Sequence, residues 1–231
     1  MTPPADLPEW RRERLAAVRL YLVTDETTPL QDLPDLVRLV TAAGVDAVQL
    51  RRKEVPWRDL VAVAAACRSA AHRAGALFIV NDHPELALAV DADGLHVGQE
   101  DASVTTVRTA IGRGRLVGVS THDLGQALAA TAGGADYLGI GPIHVTPTKP
   151  GRPACGIGLV PQVRAAVALP LVAIGGIDSG NAEQAMAAGA DAVAVVRAIC
   201  RADDPAAAAR GLRAAVDRVA ASRGRSTPVR A

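Results

Sequence analysis

Seven short segments of this chain carry residues that could bind polyanions. Gln49-Leu50-Arg51-Arg52-Lys53 places Gln49, Arg51 and Lys53 at alternate positions, so an extended backbone turns them to one side as a row of donors for phosphate oxygens. Asn81-Asp82 and Gly98-Gln99-Glu100-Asp101 add carboxylates. Oxygen ligands of this kind suit Mg²⁺, which takes one or two protein carboxylates and completes its shell with phosphate oxygens and water. Each aspartate also has a simpler reading as a helix cap, Asp82 for a helix beginning near Pro84 and Asp101 for one beginning near Ser103. Ser120 supplies a hydroxyl, and the Pro-rich stretch Gly141–Gly151 carries Thr146, Thr148 and Lys149, in a loop long enough to act as a lid or a binding segment. Gly175-Gly176 and Val196-Arg197 could offer backbone N–H groups to a second, separate anion. Of the 25 basic residues only Lys53 and Lys149 are lysine, a compact ammonium on a flexible stem where the rest of the chain uses the planar guanidinium fork. His83, His96 and His144 fall near the same positions, but no H-x-x-x-H spacing marks a zinc site, and no histidine is expected to ligate a metal.

These segments share a context: each follows a short, continuously apolar run. The runs are 19–24, 46–50, 77–80, 94–97, 116–120, 136–140, 170–174 and 191–195, and their unbroken apolar character is that of strands buried on both faces. Helical patterns separate them, several closed by glycine. AAGVDAVQL, TAGGADYLGI and AAGADAVAV repeat one phrase, in which a helix end and a glycine are followed by Asp and then a strand. Eight such units predict an α/β fold, a (β/α)8 TIM barrel, whose chemistry belongs at the C-terminal ends of the strands. An open doubly wound sheet is disfavoured because no G-x-G-x-x-G follows the first strand. The reading is of one domain over residues 1–231, with an extra N-terminal helix within 1–18, the barrel over about 19–221 and a flexible tail at 222–231.

Composition narrows the function classes. A net charge of +1 gives no case for nucleic acid or an anionic membrane surface, and no apolar run approaches the ~20 residues of a membrane span. Three cysteines without C-x-x-C spacing argue against a disulfide framework. With no signal-peptide core in the first 18 residues, a cytoplasmic protein is expected, acting on small molecules and with a homo-oligomer possible. Aromatic residues make up only 2%, so the core must be built from Ala, Val, Leu and Ile.

In order, VQLRRKE, FIVNDHPELAL, ADGLHVGQEDAS, VGVSTH, YLGIGPIHVTPTK, VAIGGI and GADAVAVVRAI resemble the thiamine-phosphate synthase (thiamine phosphate pyrophosphorylase) family over about residues 20 to 200. The resemblance implies a barrel enzyme, a transferase. It joins 4-amino-5-hydroxymethyl-2-methylpyrimidine diphosphate to 4-methyl-5-(2-phosphoethyl)-thiazole, giving thiamine phosphate and pyrophosphate by a Mg²⁺-assisted dissociative substitution. It further implies that Gln49, Arg51, Lys53, Asn81 and Lys149 hold the diphosphate and that Asp82 and Asp101 bind Mg²⁺. Ser120 would contact the pyrimidine, Thr146 and Thr148 would lie beside the thiazole phosphate, and Gly176 with the Val196-Arg197 backbone would hold its phosphate group. Lys53, Lys149 and Ser120 are the implied catalytic groups. Three positions depart from the family's habit: Arg52 replaces a frequent acidic residue and makes the diphosphate edge more basic, His144-Val145 replaces an aromatic-Pro pair, and Arg197 replaces a serine. A thiazole tautomerase-type barrel, a silent binding paralogue and a phosphosugar barrel working by proton transfer are the competing readings. The Gln49/Arg51/Lys53 edge together with Asp82 and Asp101 weighs against all three.

Overall fold

The computed structural model describes residues 8–146 and 153–225. In chain order its elements are α1 (Glu9–Ala17), β1 (Leu20–Val23), α2 (Leu33–Ala42), β2 (Ala47–Leu50), α3 (Val61–Arg73), β3 (Leu77–Asn81), α4 (Pro84–Ala89), β4 (Gly94–Val97), α5 (Val104–Ile111), β5 (Leu116–Thr121), α6 (Leu124–Ala132), β6 (Tyr137–Ile140), α7 (Leu159–Ala166), β7 (Leu171–Ile174), α8 (Ala182–Ala187), β8 (Ala192–Val195), α9 (Arg197–Cys200) and α10 (Pro205–Arg225). The strands pair in parallel, each with the next and β8 with β1, closing a TIM barrel. All eight strand runs read from the sequence are present, and α1 is the expected N-terminal helix. The tail is corrected at its start: α10 continues to Arg225, because its apolar face still packs on the barrel through Leu212, Ala215 and Val216. The rest of that segment lies outside the described residues. Among the described residues, no helix is long and apolar enough to cross a membrane.

Successive strand residues face opposite ways, and this divides the apolar residues into two cores. Leu22, Val48, Phe78, Val80, Leu95, Val117, Leu138 and Val193 meet the surrounding helices in the larger one. Tyr21, Val23, Ala47, Leu77, Ile79, Leu116, Tyr137, Val172, Ala192 and Ala194 fill the barrel itself, and Leu15 and Val18, on and just after α1, close its lower end. The lower interior is well filled, with a gap of about 10 Å³, and the large opening lies at the end where the strands finish.

The repeated Asp phrase has a structural cause. Asp46, Asp93, Asp136 and Asp191 stand immediately before β2, β4, β6 and β8. Each donates its backbone N–H to a carbonyl at the start of the preceding strand: Leu20, Phe78, Val117 and Leu171 respectively. Each carboxylate accepts the N–H of that same residue in return, at 2.7–3.0 Å. An arginine from a covering helix completes each site: Arg213 on Asp46, Arg11 on Asp93, Arg108 on Asp136 and Arg164 on Asp191. Asp93 is the most enclosed. Its side chain is fully buried, and it also meets His72 Nε2 at 2.8 Å. Burial alone would raise the Asp93 pKa, but the hydrogen bonds from His72 and the Phe78 N–H, with the Arg11 charge, hold it below the usual carboxylate value.

A carboxylate with a depressed folded pKa stabilises the fold above its unfolded value and loses that contribution as pH falls through the folded value. Asp93→Asn is therefore expected to cost about 3 kcal/mol in urea unfolding at neutral pH, the scale of a broken buried pair. It is also expected to flatten the loss of stability that the wild type shows below about pH 4. A cost under about 0.5 kcal/mol, within the range of ordinary surface substitutions, would show that Arg11 and His72 do not depend on this carboxylate.

Candidate active site

A cavity of about 390 Å³ opens at the C-terminal ends of the strands. Its floor is the upper inward layer of the even strands, Gln49, His96, Gly139 and Ala194, each two residues beyond the first inward position after an anchoring aspartate. Above it, Arg51, Asn81, Ser120, Thr146, Gly176, Val196 and Arg197 also line the space. Eight residues proposed from sequence thus surround one cavity. The side chains of Arg51 and Asn81 are half-buried and that of Arg197 is exposed, so all three can meet solvent or a ligand in this space. Thr148 and Lys149 lie outside the described residues.

Lys53, Asp82 and Asp101 do not line the cavity and form a second cluster beside the exits of β2, β3 and β4. The alternation read from sequence therefore holds for Gln49 and Arg51, while Lys53, three residues past the end of β2, sits 3.5 Å from Asp82 through Nζ. Asp82 takes a left-handed backbone conformation, φ 61°, which aspartate tolerates better than most residues. Neither aspartate is the cap that the simpler reading offered. Ser103 caps α5 by accepting the Thr106 N–H, Asp101 instead accepts the Gly98 N–H at 2.7 Å, and His83 holds the N-cap position of α4. Burial raises the Asp82 pKa, and the neighbouring Asp101 raises it further, against a smaller lowering by Lys53.

The remaining departures resolve as follows. Arg52 does not make the diphosphate edge more basic: its side chain is buried behind the strand, where it donates to Thr28 O and pairs with Glu26 at 3.6 Å. His144 donates its backbone N–H to Gly175 O, and Ile143 donates to Ile174 O, so the start of the β6 loop is tied to the diglycine turn. Gly175 and Gly176 have φ of 100° and 64°, and a Cβ on Gly176 would come within 2.7 Å of His144 Cβ. Arg197 begins α9 with its side chain exposed beside this turn.

Sequence reasoning missed what lies beneath. The chain has only two tyrosines, and both point into the barrel. Gln49 Nε2 donates to Tyr21 Oη at 3.0 Å; the two phenols meet at 2.9 Å; Tyr137 Oη lies 3.1 Å from His96 Nδ1; and His96 Nε2 lies 2.9 Å from Ser120 Oγ. A Cβ on Gly118 would overlap the Tyr137 ring and approach His96 Nδ1 to 2.5 Å, so glycine at 118 makes the room for this contact. Burial pushes the Tyr21 pKa up to about 12 and that of Tyr137 well above its ordinary value. His122 and Arg201 line the cavity too; His122 Nδ1 meets Gly141 O, and Arg201 lies 3.6 Å from Asp25. The available signal was parity: Tyr137 directly follows an anchoring aspartate, which fixes it as inward.

A sequence profile described as thiamine monophosphate synthase matches residues 20–199. A thiamine-phosphate synthase of Gloeobacter violaceus is 50% identical over 188 residues, covering 81% of this chain, and the chain spans about half (54%) of that relative's length. One from Methanoculleus marisnigri is 46% identical over 182 residues, covering 78% of this chain and 86% of the relative. A solved thiamine phosphate pyrophosphorylase from Pyrococcus furiosus superposes with a TM-score of 0.81 at 34% identity, covering 90% of this chain and 98% of that one.

The Asp82–Asp101 contact makes a prediction of definite sign. An acid whose folded pKa is raised costs the fold stability when ionised, and protonation relieves that cost as pH falls through the folded value. In Asp101→Asn the Asp82 carboxyl should titrate at lower pH than in the wild type, and in Lys53→Ala at higher pH, both read by ¹³C NMR of the carboxyl carbons. An unchanged Asp82 titration in Asp101→Asn would show that the two groups do not sense each other.

Proposed function

The chain belongs to the thiamine monophosphate synthase family, and on that premise we propose that it joins a pyrimidine methyl diphosphate to a thiazole phosphate, releasing pyrophosphate and thiamine phosphate. The observation that carries this reading is that polar groups from two separate arcs of the strand ring, the exits of β2 and β3 and those of β7 and β8, line one cavity. Arg51 and Asn81 stand on one arc near the Lys53–Asp82–Asp101 cluster, with Gly176, Val196 and Arg197 on the other. A reaction between two anionic substrates needs that separation, because each anion must be held while the reacting carbon and nitrogen meet between them.

In this reading Gln49, Arg51, Lys53, Asn81 and Lys149 grip the diphosphate, and Ser120 meets the pyrimidine ring. The Asp82–Asp101 pair fits Mg²⁺: both groups offer hard oxygens, and burial together with the neighbouring Asp101 charge, which raise the Asp82 pKa, are what a bound dication would offset. When bound, Mg²⁺ neutralises charge on the leaving diphosphate. The C–O bond breaks with its electron pair going to pyrophosphate, and the aminopyrimidine stabilises the methylene cation left behind. The thiazole nitrogen then forms the new C–N bond. The two lysines and Arg51 supply fixed positive charge where negative charge develops, and the walls of the cavity limit water. Thr146, Thr148, Gly176, the Val196-Arg197 backbone and the Arg197 guanidinium hold the thiazole phosphate.

Two measurements test this. Purified protein given both precursors and Mg²⁺ is expected to form thiamine phosphate, and to lose that activity in EDTA and regain it with added Mg²⁺. Full turnover in EDTA would overturn the metal role, and no product under any condition would overturn the reaction. Arg197→Ser is expected to raise KM for the thiazole phosphate roughly tenfold with kcat little changed, the size of one charge-assisted hydrogen bond lost equally from ground and transition states. An unchanged KM would leave the phosphate to the backbone alone.

A further inference from the structure

The interior chain Gln49–Tyr21–Tyr137–His96–Ser120 has a direction. The Gln49 amide nitrogen can only donate, and it gives a proton to Tyr21 Oη. Tyr21 is buried, so its own proton needs an acceptor, and the Tyr137 oxygen at 2.9 Å is placed to be one. Tyr137 in turn gives its proton to His96 Nδ1 at 3.1 Å. A neutral imidazole that accepts on Nδ1 carries its hydrogen on Nε2, and this is donated to Ser120 Oγ at 2.9 Å. The Ser120 proton is then left for the cavity that Ser120 lines.

We propose that Tyr21, Tyr137 and His96 are positioning residues that make the Ser120 hydroxyl a hydrogen-bond donor to the ligand ring, so that the ring bound there must present an acceptor, an unprotonated ring nitrogen. The inference deepens the function proposed above and rests on it for the identity of the ring. The far end of the chain is an amide, which does not titrate, and burial keeps both phenols protonated across the working range. The chain therefore orients a donor and delivers no proton to the substrate. Gly118 and Gly139 support the arrangement, since a Cβ on either would crowd the His96 ring, to 2.5 Å from Nδ1 and 3.3 Å from Cε1 respectively. The reverse arrangement, with the Gln49 amide turned over, would run every bond backwards and make Ser120 an acceptor for the ring.

The two directions differ in the His96 tautomer. ¹⁵N NMR of the imidazoles in the full, unliganded chain, with His96 assigned by comparison with His96→Gln, is expected to show Nε2–H. An Nδ1–H tautomer would overturn the proposal. Tyr21→Phe, which removes the directing link and keeps the later ones, is expected to give a mixture of both tautomers, and a pure Nε2–H form in that variant would show that Tyr21 does not set the direction. A double-mutant cycle then reads the link to substrate. Tyr137→Phe is expected to raise KM for the pyrimidine diphosphate roughly tenfold, as for one hydrogen bond lost, and to leave KM for the thiazole phosphate unchanged. In a Ser120→Ala background the same change should add less than about twofold, because the group it orients is gone. Fully additive losses, or an equal rise for both substrates, would show a structural role only. A wild type that forms no thiamine phosphate would sink the functional reading, and the tautomer measurement would still decide the direction of the chain.

Discussion

The barrel depends on one repeated contact, an aspartate before each even-numbered strand that exchanges two hydrogen bonds with the start of the strand before it. A parallel strand can slip along its neighbour by one residue, and such a slip turns every side chain to the opposite face. The reciprocal N–H···O=C and N–H···carboxylate pair forbids it at four places round the ring. With Asp46, Asp93, Asp136 and Asp191 fixed, the residue after each must point inward, and so must the third: Ala47 and Gln49, Gly94 and His96, Tyr137 and Gly139, Ala192 and Ala194. The floor of the cavity is therefore set from the opposite end of the barrel, by contacts that no ligand approaches.

That division of labour explains the composition of the interior. The lower layer is filled by Leu77, Leu116, Val172 and Ala192 with Leu15 and Val18 beneath, which leaves only a gap of about 10 Å³ there. The upper layer holds polar groups, and a polar group so enclosed must be satisfied by its neighbours. Gln49, Tyr21, Tyr137, His96 and Ser120 satisfy one another in sequence, which is why the two tyrosines of an otherwise aliphatic barrel meet. Glycine at 118 and 139 is the steric counterpart, since the ring atoms occupy the space where side chains on β5 and β6 would stand.

Much of this was legible in the sequence, and the exceptions share a cause. All eight strands could be read, because a strand buried on both faces is continuously apolar over its own length, and the glycine–aspartate phrase marked where three of them begin. Eight of the thirteen proposed site residues line the cavity, because residues at strand ends converge once the strands form a ring. What failed were judgements that needed a partner distant in the chain. The pairing of Asp82 and Asp101 beside Lys53 is legible from their strand-end placement and is not among these failures; only the local cap reading of each fails. Arg52 reads as part of a basic edge, yet Glu26 and Thr28 on the preceding loop draw it inward. Tyr21 and Tyr137 are 116 residues apart, and no local pattern relates them.

The same geometry accounts for where arginine and lysine stand. Each arginine on an anchoring aspartate serves several acceptors at once. Arg108 reaches Arg115 O, Gly134 O and Asp136; Arg164 reaches Val167 O, Leu169 O and Asp191; Arg213 reaches Gly44 O, Asp46 and Asp217; Arg11 reaches Gly114 O and Asp93. A planar fork with five donors can staple a helix to loop carbonyls and to a carboxylate together; a lysine ammonium, a single point of charge on a flexible stem, lacks that spread. At the other end of the barrel the requirement reverses. Lys53 is half exposed and holds Asp82 through one contact of 3.5 Å, longer than any of the aspartate–arginine anchors. In the proposed reaction a compact cation held by one long contact would reach a phosphate oxygen without dismantling a network.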